Sequence, residues 1–296
     1  RQTVMNRSVC TCIALASILM AALPAPANER GSIAATVPVE PSNLFSIPTS
    51  RVVQSMDLDL SGTGVILSQS GSRPLGSAAL GLGDIAQLEV GTMGIISGID
   101  GTDGLAKVHS AGLRVYVPLA GYTRGLVASF RRSGTYAEQT TQGQSEARVG
   151  EFFAITTVAN YPEEGMATDP RAGWAGLKVK GPLGMKYVDA RLQGAQSVSA
   201  AFWRPAGGLE LWKNDARARV VGEMNWTPAF EPTGGDHVEI VRVVTAGVRY
   251  FFSKHATFDI GVRHQSNYDG LAESAIQMRL NLSMPTHKFR DRVIGI

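Results

Sequence analysis

Toward the end of the chain, His264, Ser266 and Asn267 fall within four residues, with Asp269 and Glu273 shortly after. A histidine beside a serine can take the hydroxyl proton as the oxygen attacks an ester, and a carboxylate behind the imidazole can orient the ring. The catalytic candidates are therefore His264, Ser266 and Glu273. A polar loop following a strand often holds the same residue types, and that solvated-loop reading is placed first: no enzyme is expected, and a hydrolase is the alternative. Metal chemistry has less to stand on. His109, His237, His255, His264 and His287 are scattered without ligand spacing, so no metal and no cofactor is expected. No helix follows Gly62-Thr-Gly64 or Gly81-Leu-Gly83, which removes the phosphate-cradling use of glycine loops.

A second constellation is electrostatic. Arg114, Arg191, Arg219, Arg249, Arg263 and Arg279 recur at mid-strand positions, together with Asp59, Glu89, Glu223 and Asp259. Lining a lumen, the arginines would favour anionic solutes. In a narrow barrel the same groups could instead pair and fill the interior, leaving no channel. The sequence leaves both uses open.

These residues are positioned by segments of period two. Ile276, Met278, Leu280, Leu282 and Met284 alternate with Gln277, Arg279, Asn281 and Ser283, so one face of the strand is apolar and the other polar. The dyad recurs with Phe258, Ile260 and Val262, with Val244, Ala246, Val248 and Tyr250, and with Val220, Gly222, Met224 and Trp226. It is also read at Val188, Ala190 and Leu192 against Asp189 and Arg191, at Leu113 to Val117, at Leu88 and Val90, and at Met56 to Leu60. Full charges in mid-strand fit a lumen, with the apolar set facing lipid and closure removing free edges. The expected fold is all-β: a closed antiparallel up-and-down transmembrane β-barrel of about 12 strands, within a range of 10 to 14. Fourteen candidate segments are visible, of which 76–82, 172–180, 197–203 and 208–213 are short or weak. Trp174, Trp203, Trp212, Trp226, Tyr116, Tyr187 and Tyr250 are candidates for interfacial girdles.

The start of the chain bears on the compartment. Arg7, the apolar run from Ile13 to Leu23 and the small-residue end Ala25-Pro26-Ala27 form a signal peptide, expected to be cleaved before Asn28. A retained anchor would need roughly 18 to 20 apolar residues. Cys10 and Cys12 both fall in this signal, so no disulfide is expected afterwards. The expected division is a signal at 1–27, an irregular periplasmic lead-in at 28–50 that could reach the barrel mouth, a barrel at 51–284 and an extension at 285–296. Net charge is +3 and mean hydropathy is near zero, which leaves no basic nucleic-acid footprint. A soluble secreted β-sandwich would share this composition and remains a further alternative.

Two stretches carry a resemblance: Asn43-Leu-Phe-Ser-Ile-Pro-Thr-Ser-Arg51 and Gly81-Leu-Gly-Asp-Ile-Ala-Gln-Leu-Glu-Val-Gly91. They resemble the entry and first hairpin of YjbH-like outer-membrane barrels, which are associated with exopolysaccharide production. That resemblance implies a Gram-negative outer-membrane location and a narrow pore or accessory barrel linked to polysaccharide export or small-solute passage. The implied partners are outer-membrane lipid and lipopolysaccharide, the barrel-assembly machinery and polysaccharide-export components. The stretch around His264 resembles the H-x-S-N segment of lipid A deacylases, which implies an outer-leaflet esterase as the alternative. Outer-membrane barrels usually end on an aromatic residue, whereas this chain runs on past Met284 to Ile296.

Overall fold

The computed structural model describes residues 40–286 except 68–70, 98–103, 120–122, 141–142, 162–176, 195, 214–215 and 232–236. The signal reading at 1–27 lies outside the described residues, as do Trp174, the first part of the lead-in and nearly all of the extension. Thirteen strands are described: β1 Leu58–Leu67, β2 Gly71–Leu82, β3 Ala86–Ser97, β4 Gly104–Pro118, β5 Thr123–Ser133, β6 Tyr136–Thr140 and β7 Gly143–Ala159. They continue with β8 Leu177–Gln193, β9 Ser197–Lys213, β10 Ala218–Glu231, β11 His237–Phe251, β12 Ala256–Gln265 and β13 Ala275–Met284. One short 3₁₀ turn, Leu271–Glu273, precedes β13.

The first strand pairs with the last, β1 antiparallel to β13, and β5 pairs with β7 on the far side. The short β6 pairs with β7 just beyond β5, so β5 and β6 are two stretches of one wall strand. The sheet is thereby a closed antiparallel barrel of 12 wall strands. Two pairs of separate candidate segments turn out to be single long strands: 172–180 with 185–193 in β8, and 197–203 with 208–213 in β9. Pro182, Gly184, Pro205 and Gly207 break the apolar pattern there. The chain nevertheless stays in register, with Leu183 opposite Gly207 and Met185 opposite Pro205.

Side chains sort as the dyads require. In β13, Ala275, Gln277, Arg279 and Asn281 are buried while Ile276 and Leu280 stand exposed. Leu88, Val90, Leu113, Val115, Val117, Leu126, Leu183, Met185, Ile260 and Val262 are likewise large, apolar and outward. A charged interior inside an apolar exterior is the arrangement hydrocarbon stabilises and water does not, which sets the soluble sandwich aside. At the end where β1 begins and β13 finishes, β2 and β3 are joined by a turn of three residues, 83–85. Gly83 and Asp84 both have positive φ, which closes the turn tightly. An even number of wall strands puts both ends of the barrel on this side, which in outer-membrane barrels is the periplasmic one.

Toward the opposite end the wall is not a simple cylinder. β3 leaves β2 after Gly91, and β10 leaves β9 after Met224. The two then meet in parallel, Ala229 beside Ile96 and Phe230 beside Ser97. In the ring β3 and β10 are diametrically opposed, so their contact pinches the outer lumen. Successive residues of this bridge feed two apolar clusters. Ile95 and Phe230 join Val149, Leu192 and Phe202, while Ile96 and Ala229 join Val65, Val241 and Ala275.

A ring closed between first and last strand resists detergent until heated. We expect unboiled protein to run at a mobility different from the boiled sample in detergent gel electrophoresis; one mobility at every temperature would refute closure.

Candidate functional site

The periplasmic half of the lumen is occupied by the chain's own segment ahead of β1. Asn43 and Pro48 form a β-bridge, and the Leu44 N–H donates to the Ile47 carbonyl at 2.9 Å, so residues 43–48 make a tight turn. Leu44, Phe45 and Ile47 are buried. Leu44 packs where Gly208 of β9 leaves space: a Cβ there would collide with its side chain and with the β10 backbone.

Polar complementarity fixes the turn. The Glu223 carboxylate accepts from the backbone N–H groups of Phe45, Ser46 and Ile47 at 2.9 to 3.1 Å and from the Ser46 hydroxyl at 2.6 Å. The carbonyls on the other side of the turn accept from arginines. Arg114 donates to Ser42 at 2.6 Å, Arg249 to Asn43 and Leu44 at 3.1 Å, and Arg279 to Leu44 and Phe45 at 2.9 and 2.8 Å. Charge-assisted bonds of this kind are short and about twice as strong as neutral ones. Further along, the Val53 N–H donates to Gln87 at 2.9 Å, and Ser50 exchanges hydrogen bonds with Thr157 of β7.

Wall charges complete the network. Arg114 pairs with Glu89 at 2.8 Å, and Asp259 takes Arg249 in two bonds of 2.8 and 2.9 Å. Glu151 bridges Arg131 and Lys186, and Glu210 bridges Lys180 and Arg219. Glu40, at the head of the described segment, pairs with Arg219 at 2.8 Å and with Lys180. Burial alone would raise the Glu40 pKa, but the facing Lys180 and Arg219 outweigh it and hold the carboxyl well below its ordinary value. The cavity left between segment and wall, beside Asn43, Asp59 and Arg279, is about 30 Å³, room for roughly one water.

Of the lumen residues expected from sequence, Asp59, Glu89, Arg114, Arg219, Glu223, Arg249, Asp259, Arg263 and Arg279 lie on the inward face. Arg191 does not. Its side chain is 65% exposed beside Asp189, while Val188, Ala190 and Leu192 turn inward to the outer apolar cluster. The phase is reversed because the outer lumen is apolar, so an apolar face there does not mark lipid. Lys186, in phase with Val188 and fully buried, was the available signal. Lys180, on the same strand, was missed for the same reason of phase, Glu151 and Glu210 because β7 and β9 show no clear dyad in sequence, and Glu40 because it precedes every strand. Among the aromatic candidates, Trp203 faces out, but Trp212 is buried against Arg219 and Tyr161 and belongs to no girdle.

The catalytic candidates are not assembled as an ester-cleaving set. His264 Nδ1 lies 3.0 Å from the Ser274 hydroxyl. Ser266 Oγ instead accepts from the Arg242 N–H at 3.0 Å, and Glu273 accepts from the Asp269 N–H at 3.0 Å. Among the described residues no group of His, Cys, Asp and Glu could hold a metal.

No family model matches the chain, and no curated protein matches it. Solved structures with similar folds include the translocator domain of the autotransporter NalP from Neisseria meningitidis, at 12% identity and TM-score 0.37, covering 77% of this chain and 86% of that one. Outer-membrane OmpT of Vibrio cholerae aligns at 10% identity and TM-score 0.33, covering 79% and 99%. The CymD monoaromatic hydrocarbon channel aligns at 11% and 0.31, covering 79% and 88%. Likenesses of this size carry no argument about activity.

Two outcomes follow from this geometry. Replacing Glu223 by Ala orphans three backbone N–H groups, each worth about 1–3 kcal/mol when buried without a partner. A thiol reporter at buried Val52 (Val52→Cys) should therefore be protected from a maleimide in the otherwise wild-type barrel and reactive in the Glu223→Ala background; equal protection would refute the anchoring role. Because the Glu40 pKa is depressed, its contribution to docking is present above its ordinary value of 4.5 and is lost as pH falls through the lowered value. Protection of the same reporter should be flat from neutral pH to about 5 and decline only in stronger acid. A decline between pH 8 and 6 would contradict this.

Proposed function

We propose that the protein is a bacterial outer-membrane barrel, exported on a cleaved signal, that is shut at rest and opens as a narrow pore when its N-terminal segment leaves the lumen. The observation that carries this reading is the Glu223 cradle: a turn gripped by its backbone on both sides, with only two small apolar clusters around Leu44, Phe45 and Ile47 beside it, can be released by competition from water and ions. Departure would leave Arg114, Arg249 and Arg279 without their carbonyl partners, and a lumen with uncovered arginines favours small anionic solutes. The resemblance around 43–51 and 81–91 supports a place as an accessory to surface-polysaccharide export, where a closed resting state protects the permeability barrier. The barrel is read as non-catalytic, since His264 and Ser266 serve different neighbours.

Two seals lie in series, the docked segment and the β3–β10 bridge, so the test removes both. In planar bilayers the wild-type barrel should be silent over many insertions. A variant lacking residues 40–50 and carrying Ile96→Asp in the bridge should show discrete, anion-selective steps. A steadily conducting wild type would overturn the proposal, as would a silent double variant that keeps folded gel mobility.

A further inference from the structure

On the outer surface of the barrel, an open groove of about 610 Å³ lies along the β4–β5 pair. Its origin is a fork in the wall. β4 is paired with β5 only as far as Ser110 opposite Ser133, with a last bond from the Gly134 N–H to the His109 carbonyl at 2.8 Å. Beyond that point β4 follows β3 toward β10, whereas β6 stays with β7.

The outward face of this pair changes chemistry step by step. Val115 stands opposite Ala128, Leu113 opposite Phe130, and Ala111 opposite Arg132, with His109 next on the same face. Leu113 and Phe130 are 43% and 50% exposed and belong to the lipid-facing band. Arg132 and His109 are exposed at its outer margin, and both line the groove. Ala111 between them is small, so the space beside the guanidinium stays open. Two other arginines of this rim have acidic neighbours: Arg148 lies 3.8 Å from Glu146, and Arg191 lies 3.1 Å from Asp189.

An apolar floor leading to a guanidinium and an imidazole at the membrane edge matches an amphiphile that carries acyl chains and a phosphate. The chains would lie on Leu113 and Phe130, and the phosphate would meet Arg132 and His109. We propose that this groove binds a phosphorylated, acylated glycolipid of the outer leaflet. The inference rests on the membrane placement of the strands and not on the lumen plug, so the pore reading can fail without it.

The test titrates the full barrel in detergent with diphosphoryl lipid A and reads bound lipid by native mass spectrometry. Dephosphorylated lipid A and inorganic phosphate serve as the other two probes. One diphosphoryl lipid should be retained per chain, with little retention of either other probe. Arg132→Gln combined with His109→Gln should weaken binding at least about tenfold, or about 1.4 kcal/mol. Ala111→Phe, which fills the groove and keeps Arg132 and His109, should do the same, while Arg191→Gln on the same rim should leave binding unchanged. All substituted side chains face outward, and heat-modifiable mobility verifies folding. The proposal falls if the double variant or Ala111→Phe binds as wild type does, if Arg191→Gln weakens binding equally, or if the dephosphorylated lipid binds as well.

Discussion

The wall carboxylates leave donors of Arg114, Arg249 and Arg279 unmatched, and the backbone of residues 42–45 supplies what is missing. Arg279 illustrates this: its donors go to Ser61 and to the carbonyls of Leu44 and Phe45, oxygen atoms that water would otherwise provide. Burying such a cation without partners would cost several kcal/mol. Glu223 solves the converse problem, a carboxylate satisfied by three amide N–H groups and one hydroxyl. Segment and wall therefore need each other. An empty lumen would have to hydrate these charges, and an undocked segment would have to hydrate Leu44, Phe45 and Ile47.

Along the axis the interior changes character. The periplasmic half is polar and filled by the segment, while the outer half is apolar and closed by the β3–β10 contact. The difference explains which parts of the barrel were legible in the sequence. From β10 to β13 the inward residues include Arg219, Glu223, Arg249, Asp259 and Arg279, so charge and period agree and the phase is unambiguous. In the outer part of β8 the inward residues are Val188, Ala190 and Leu192, and local pattern points the wrong way. A dyad gives the alternation of a strand but not which side is wet.

Strand number was legible for a different reason. Pro182, Pro205 and their neighbouring glycines divide β8 and β9 in any local reading, yet ring closure needs an even count when both ends lie on one side. That global constraint outweighed the local breaks. The docked segment offered no comparable constraint: Phe45 and Glu223 are 178 residues apart, and nothing in Asn43-Leu-Phe-Ser-Ile-Pro announces a carboxylate partner. The catalytic candidates are arranged by geometry that spacing cannot supply. His264 is the penultimate residue of β12 and Ser266 lies just beyond the strand, and alternation with the turn sends the imidazole to Ser274 and the Ser266 hydroxyl to the β11 backbone.

Two closures built from different forces have different responses. The β3–β10 bridge is held by a few backbone bonds and flanking apolar packing, whose strength varies little with salt or pH. The docked segment is held by charge-assisted bonds whose partners could equally be water, phosphate or chloride, and its hold depends on what enters the lumen. An anion reaching Arg114 or Arg279 from the periplasmic side competes directly for the donors that retain the turn. The segment with the more exchangeable bonds is also the one at the end facing the cell, so the first element to yield would be the one that a solute or partner on that side can reach.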